Sequence, residues 1–193
     1  MSELNNNKTS ANFGYKKVTE IDKKSLVDNV FTSVTERYDL MNDLMSFGLH
    51  RFWKKYFLLC SNIKKGEKVL DLAAGTGDIT KLISEAVGDS GKVISCDINY
   101  AMLSQGRDNL IDAGFMENIF YVQSDAQALS FQENSFDHVT MAFGLRNTAN
   151  ISKALESIYK ILRPGGSLQV LEFSKAEKII EKPYRIFLNK VIP

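Results

Sequence analysis

Cysteine is scarce in this chain. Two residues, Cys60 and Cys96, are too few for a disulfide framework, and neither stands in a CxxC or Cys/His spacing that would hold a metal. Cys96 falls in a predicted buried strand and Cys60 ends a helix, so both are read as packing residues in a reducing cytoplasm. Charge of one sign is lacking too. The 24 Lys+Arg against 23 Asp+Glu leave a formal net charge of +1, so no whole-chain field draws the protein to nucleic acid or to an anionic membrane. No apolar run approaches the roughly 18 residues of a membrane span. The start, MSELNNNKTSANFG, lacks the basic-then-apolar order of a secretion signal. With 44% hydrophobic and 24% charged residues over 193 positions, the composition is that of a globular protein large enough for one domain with a core.

Residues 1 to about 18 are polar and Asn/Lys-rich, and a disordered tail is expected there. From Ile21 to Leu59 apolar positions recur at helical spacing: Leu26, Val30, Val34, Leu40, Leu44, Phe52, Tyr56 and Leu59. Two or three helices are expected, broken near Ser46-Phe47-Gly48, and residues 19–65 form an N-terminal helical segment. From Lys68 short β-rich runs alternate with helices, the signal of a parallel sheet. The strands are expected at Lys68–Leu72, Lys92–Asp97, Ile119–Gln123, Phe136–Phe143 and Ser167–Phe173. The helices between them are expected at Asp78–Val87, Tyr100–Ala113 and Ile151–Leu162, and a last amphipathic helix at Ile179–Val191. Arg163-Pro164-Gly165-Gly166 ends the third of these, since proline cannot continue a helix and glycine accepts the reversed turn. Residues 66–193 thus read as one α/β core.

The first strand runs into Asp71-Leu72-Ala73-Ala74-Gly75-Thr76-Gly77-Asp78. Gly75 and Gly77 remove Cβ atoms where the backbone turns sharply beside a ligand. The next strand ends in Asp97, placed to accept both hydroxyls of a ribose. A nucleoside cofactor is indicated. The dinucleotide fingerprint wants a third glycine where Thr80 stands. Instead, the D-x-x-x-G-x-G pattern resembles the first motif of class I S-adenosylmethionine (SAM) methyltransferases. SAM has no pyrophosphate, but its amino-acid tail carries an ammonium that suits a carboxylate such as Asp71. The third strand ends in Gln123-Ser124-Asp125-Ala126, the turn that touches adenine in that fold, although a plain surface turn has the same composition.

The fourth strand ends in Phe143-Gly144-Leu145-Arg146-Asn147, the position that separates methyl acceptors. The Asn/Asp-Pro-Pro-aromatic turn of base amine methylation is absent. So are a nearby nucleophilic cysteine, a pair of glutamates for arginine methylation, and a convergent Asp/Asn metal cluster. An aromatic ring, a cation and an amide suit a flat, oxygenated, apolar acceptor. A structural ion pair accounts for Arg146 equally well. His138 lies in a buried strand and reads as a satisfied core residue. His50 can act as a base or hold the helical segment by a hydrogen bond.

Two longer segments carry a closer resemblance. The first is Tyr38-Asp39-x-Met41-Asn42-x-x-Met45-Ser46-x-x-x-His50-x-x-Trp53-Lys54, and the second is Lys160-Ile161-Leu162-Arg163-Pro164-Gly165-Gly166-x-Leu168-x-x-Leu171-Glu172-x-Ser174. Both resemble signatures of the ubiquinone/menaquinone biosynthesis C-methyltransferases, and Val69–Thr80 and Phe143–Asn147 agree. The resemblance covers about residues 13–193. It implies a class I Rossmann-like doubly wound sheet with residues 19–65 as a lid, and SAM as methyl donor. It also implies a polyprenylated quinol as acceptor, at the demethylmenaquinol or the 2-methoxy-6-polyprenyl-benzoquinol step. Thr76, Asp97, Asp125 and Ala126 would touch the cofactor, beside Asp71, Gly75 and Gly77. Ala142 stands where many members have a serine.

For catalysis, Arg146 and Asn147 are expected to orient the quinol oxygens and stabilise the developing phenolate, with His50 or Asp39 as the nearest base and no metal required. The resemblance further implies peripheral contact with the inner face of the membrane or with other quinone-biosynthesis enzymes. Seven strands are expected of the fold and five are counted before Pro193, so the chain reads as stopping short of the last two. A homodimer through the fifth strand or the last helix is expected to cover that edge. The rival readings are a SAM-binding scaffold without turnover and a methyltransferase for another small apolar acceptor.

Overall fold

The computed structural model describes residues 10–13, 16–34 and 49–172. Asp39, the 38–48 part of the first signature and the expected helix at 179–191 lie outside these residues. Five parallel strands form the centre: β3 (Lys68–Leu72), β4 (Lys92–Asp97), β5 (Ile119–Gln123), β6 (Phe136–Ala142) and β7 (Leu162–Leu171). They are preceded by β1 (Ser10–Phe13), β2 (Lys16–Thr19), α1 (Glu20–Val34) and α2 (Leu49–Ser61). The connecting helices are α3 (Asp78–Val87), α4 (Tyr100–Asp112) and α5 (Ile151–Ile161), with a 3-10 turn at Leu145–Asn147.

The sheet order is β5-β4-β3-β6-β7. The chain winds outward from β3 through β4 to β5, then returns to the other side of β3 with β6 and β7. The reversal opens a crevice beyond the carboxyl ends of β3 and β6, where open α/β sheets bind ligands. Side chains alternate across the sheet. Leu70 and Leu72 face a core shared with Ile94, Cys96, Val139, Met141 and α5's Ile158 and Ile161. Val69 faces the opposite core with Val93, Ile119, α3's Ile79, Ile83 and Val87, α4's Leu110 and α2's Phe57. Helices cover both faces, so the central strands bury apolar side chains on both sides, as at Val69 and Leu70 of β3 and Val93 and Ile94 of β4.

Three expectations are corrected here. The segment read as a disordered tail holds an antiparallel pair, Ser10↔Thr19 through Phe13↔Lys16. The last strand begins at Leu162 and not at Ser167, because Arg163-Pro164-Gly165-Gly166 ends the helix but continues directly into the ladder, with the register shifting between Phe136 and His138. Finally, the helical stripe at Leu26, Val30, Phe52, Tyr56 and Leu59 is exposed, from 38% at Leu26 to 82% at Leu59. Helix α2 instead buries His50, Lys54, Phe57 and Ser61, and Lys54 Nζ reaches Asp78 Oδ2 at 2.6 Å. Cys60 shares the exposed face of α2, so only Cys96 is a packing residue.

Candidate cofactor and acceptor site

A cavity of about 470 Å³ opens at the carboxyl ends of β3, β4, β5 and β6. From β3 and its turn it takes Leu72, Ala73 and Gly75; from the end of β4, Asp97, Ile98 and Asn99; from the end of β5, Gln123, Ser124, Asp125 and Ala126. Met141 and Ala142 close β6, and Phe143, Gly144, Asn147, Thr148 and Ala149 continue the wall. Helix α1 lies over the opening with Lys24, Ser25, Val27, Asp28 and Phe31, one face of a helix at i, i+3, i+4 and i+7.

Close backbone contacts fix the two turns at the cavity's centre. Ala73 (φ 54°) and Phe143 (φ 57°) both adopt the left-handed conformation that costs a side-chain-bearing residue energy. A Cβ on Gly144 would lie 2.4 Å from Ala73 Cβ, so the turns after β3 and β6 touch only because Gly144 has none. The glycine turn is closed from the other side by α4. A Cβ on Gly106 would lie 2.5 Å from the Gly75 carbonyl oxygen, and Gly77 needs its φ of 91°.

Asp97 is 8% exposed and its carboxylate accepts from two backbone N–H groups, Gly75 at 2.9 Å on Oδ2 and Asn99 at 2.9 Å on Oδ1. Each oxygen keeps a lone pair for a further donor. Burial pushes the Asp97 carboxyl above its usual range, while the hydrogen bonds from Asn99, Gly75 and Ile98 oppose the shift. Asp125 goes the other way. Burial raises it, but the Gln127 backbone N–H, Lys24 and the Gln127 side chain outweigh that and hold it below the usual range. Beside them, burial followed by the charges of Asp97 and Asp71 pushes the Cys96 thiol up to about 12. Cys96 is therefore an inert thiol.

The structure brings together Gly75, Asp97, Asp125, Ala126 and Asn147 from the sequence-derived set. Thr76 and Gly77 do not line the cavity: Thr76 is 6% exposed and its carbonyl accepts from Asn109 Nδ2 at 3.2 Å. Asp71 is corrected. It points away from the cavity, on the β3 face shared with Val69, and is 1% exposed. Its carboxylate accepts from Thr80 Oγ1 at 2.7 Å and Thr140 Oγ1 at 2.8 Å, tying β3 to α3 and β6 from beneath the turn. Arg146 does not line the cavity either. Its guanidinium pairs with Glu172, whose other oxygen accepts from the Arg146 N–H at 3.1 Å, and it stacks 5.9 Å from the Phe143 ring centre. His50 is 5% exposed on α2 and is not a lining residue. His138 is the satisfied core residue expected, with Nδ1 2.8 Å from Ser167 Oγ and Nε2 3.0 Å from Glu67 Oε2.

Helix α1 falls within the residues 19–65 expected as a lid; what sequence reasoning missed is Asn99 as its fastening. Asn99 Oδ1 caps α4 by accepting from Met102 N at 2.9 Å, while its Nδ2 donates to Asp28 Oδ1 and Thr32 Oγ1 at 2.8 Å each. An Asn two residues after a strand-ending acid and just before a helix is a recognisable cap. Its second role leaves no trace in the local sequence.

The residues present fit SAM. A buried carboxylate with open lone pairs faces the cavity at Asp97, a second carboxylate stands at Asp125, and glycine lets backbone approach at Gly75. The polar pair is complemented by Leu72, Met102 and Met141 along the cavity wall.

Solved structures with the same fold include a SAM-dependent methyltransferase from Aquifex aeolicus, at a TM-score of 0.66 and 24% identity over 76% of this chain and 75% of that one. Another is a putative SAM-dependent methyltransferase from Methanococcus maripaludis, at a TM-score of 0.66 and 15% identity over 84% and 72%. These show a class I Rossmann-like fold. Sequence relatives carry the name ubiquinone/menaquinone biosynthesis C-methyltransferase UbiE. The protein from Pseudoalteromonas translucida (strain TAC 125) is 53% identical over 95% of this chain and 74% of its own length. That from Idiomarina loihiensis is 50% identical over 97% and 75%, and that from Xylella fastidiosa (strain M12) 49% over 100% and 77%. The profile of the ubiE/COQ5 methyltransferase family matches residues 17–193, and the chain belongs to that family of SAM-dependent methyltransferases.

Proposed function

We propose that this chain transfers the methyl group of SAM to a ring carbon of a polyprenylated quinol, in ubiquinone or menaquinone biosynthesis. The observation that carries the acceptor is the 53% identity over 95% of the chain to a protein bearing that name; the geometry supports the cofactor half. When bound, SAM supplies an electrophilic methyl on a sulfonium. In this reading Asp97 accepts the ribose hydroxyls, and Asp125 with Ala126 faces the adenine.

A ring carbon becomes nucleophilic when a neighbouring hydroxyl loses its proton. Asn147, already on the cavity wall, is the donor proposed for the quinol oxygen. Arg146, held by Glu172, acts in this reading by orienting the Phe143–Asn147 turn. Of the two base candidates, His50 is buried on α2 off the cavity, which leaves Asp39. Holding donor and acceptor in line contributes most, since such orientation is worth up to ~7–11 kcal/mol. General-base assistance adds a factor of ~10²–10⁴.

No described helix is long and apolar enough to cross a membrane. Since the proposed acceptor is a bilayer lipid, we place the chain against the cytoplasmic membrane face, with Leu49, Phe52, Tyr56 and Leu59 of α2 as exposed apolar surface suited to that contact. A homodimer through the edge of β7 is proposed with it, and light-scattering mass reads it. The function is tested by supplying SAM with a reduced polyprenyl quinol lacking the methyl. A product heavier by one methylene supports the proposal. Methylation of sterols or other apolar phenols instead, or SAM binding with no turnover, supports the rival readings.

A further inference from the structure

We propose that Lys23 is a positioning residue that fastens the lid helix α1 to the turn forming the acceptor side of the cavity, so that lid and acceptor wall are set together. The inference rests on the proposed methyl transfer for its acceptor, and on the structure alone for the fastening.

Lys23 is 6% exposed, unusual for a lysine on a helix otherwise lined with exposed residues. Its Nζ donates to the carbonyl oxygens of Arg146 at 3.0 Å and Thr148 at 2.8 Å, across more than 120 residues of sequence. Burial lowers its pKa, and a buried ammonium is retained only where such acceptors receive it. Those carbonyls sit at the end of the Leu145–Asn147 turn, where helical carbonyls run out of internal partners. The same turn supplies Gly144, Asn147, Thr148 and Ala149 to the cavity wall. Its internal backbone bonds are short-range, Asn147 N to Gly144 O at 3.0 Å and Thr148 N to Leu145 O at 3.2 Å, and its tie to β7's end is the Arg146–Glu172 pair.

The cofactor side of α1 is held by different groups. Lys24 Nζ meets Asp125 Oδ2 at 3.1 Å, and Asn99 Nδ2 meets Asp28 and Thr32. Two neighbouring lysines therefore fasten one helix to the two halves of the cleft. Lys24, more than half exposed, is the weaker of the two. Removing Lys23 takes this donor from two carbonyls on the acceptor side and leaves the Lys24, Asn99 and Glu20–Asn150 contacts intact, so the two substrates should respond differently.

The test is Lys23→Met, which keeps the stem and removes the donor. The quinol KM is expected to rise at least about tenfold, the effect of losing the charge-assisted hydrogen bonds to both carbonyls. The SAM dissociation constant by calorimetry should stay within about twofold. Amide exchange at 145–149 should speed up. Ile21→Ala, exposed on the same helical turn, should change none of these. If SAM affinity falls as the quinol KM rises, Lys23 is a general structural residue and the proposal is overturned; unchanged KM and unchanged exchange overturn it too. Should Lys23→Met fail to fold by circular dichroism, Lys23→Gln, which keeps a neutral donor, is read in its place, and failure of both overturns the proposal. If the wild type methylates no quinol, the proposed function falls, while the exchange and calorimetry still decide the fastening.

Discussion

Asp71 is a carboxylate enclosed beneath the glycine turn, and its ionisation should appear in the stability of the whole domain. Burial raises its pKa from 3.8 to about 6, with Thr80 and Thr140 lowering it, Asp97 raising it and Lys54 lowering it. A folded-state pKa above the unfolded value means that the contribution to stability is full below pH 3.8 and lost as pH rises through about 6. A shift of about two units corresponds to roughly 3 kcal/mol over the whole range, and about 1 kcal/mol of that falls between pH 5 and pH 7. Asp71→Asn removes the titration and keeps the shape, and its amide oxygen can still accept from one threonine while its NH₂ donates to the other. Urea unfolding of wild type and variant at pH 5, 6, 7 and 8 isolates this group by difference. The wild type should lose stability relative to the variant as pH rises, with the change flattening above about pH 7. A difference independent of pH, or one of opposite sign, refutes the reading of Asp71 as a buried acid under the turn.

Other outcomes follow from the same geometry. Asp97→Ala removes a charged acceptor worth ~1.5–3 kcal/mol per hydrogen bond, so SAM affinity should fall at least about tenfold by calorimetry. Gly106→Ala forces a Cβ against the Gly75 carbonyl; it should cost ~1–3 kcal/mol in thermal or urea unfolding and weaken SAM binding, because α4 must retreat from the turn. Arg146→Ala should cost less than ~1 kcal/mol of stability, since its pair with Glu172 is partly exposed. It should leave SAM affinity unchanged and slow methyl transfer, and a loss of SAM affinity would make Arg146 a cofactor residue.

The core was legible because its signals are local. Lys68–Leu72, Lys92–Asp97, Ile119–Gln123 and Asp78–Val87 stand at the expected residues, since each is a short apolar run bounded by glycine, an acid or a cap. Asp97 and Asp125 were legible because strand ends in this topology converge on one cleft. Asp71 was misassigned because sequence gives the order of residues but not which face of β3 each takes at the turn. A one-residue change of parity moves a carboxylate from ligand to core. Arg146 left two readings open, and only the position of Glu172, 26 residues later, separates them. The lid was legible as a helical segment, but its fastening was not: α1 is held by polar ties from Lys23, Lys24 and Asn99, which apolar periodicity does not report, while Leu26 and Val30 are exposed.

The central claim is carbon methylation of a quinol by SAM bound over Asp97 and Asp125. Its most direct test is nuclear magnetic resonance of the product formed from isotope-labelled SAM and a demethylated polyprenyl quinol. The label is expected in a methyl group bonded to a ring carbon, and reduced at least about tenfold when Asp97→Ala replaces the wild type at low SAM. A label on the phenolic oxygen, or none in the lipid at all, would contradict the account.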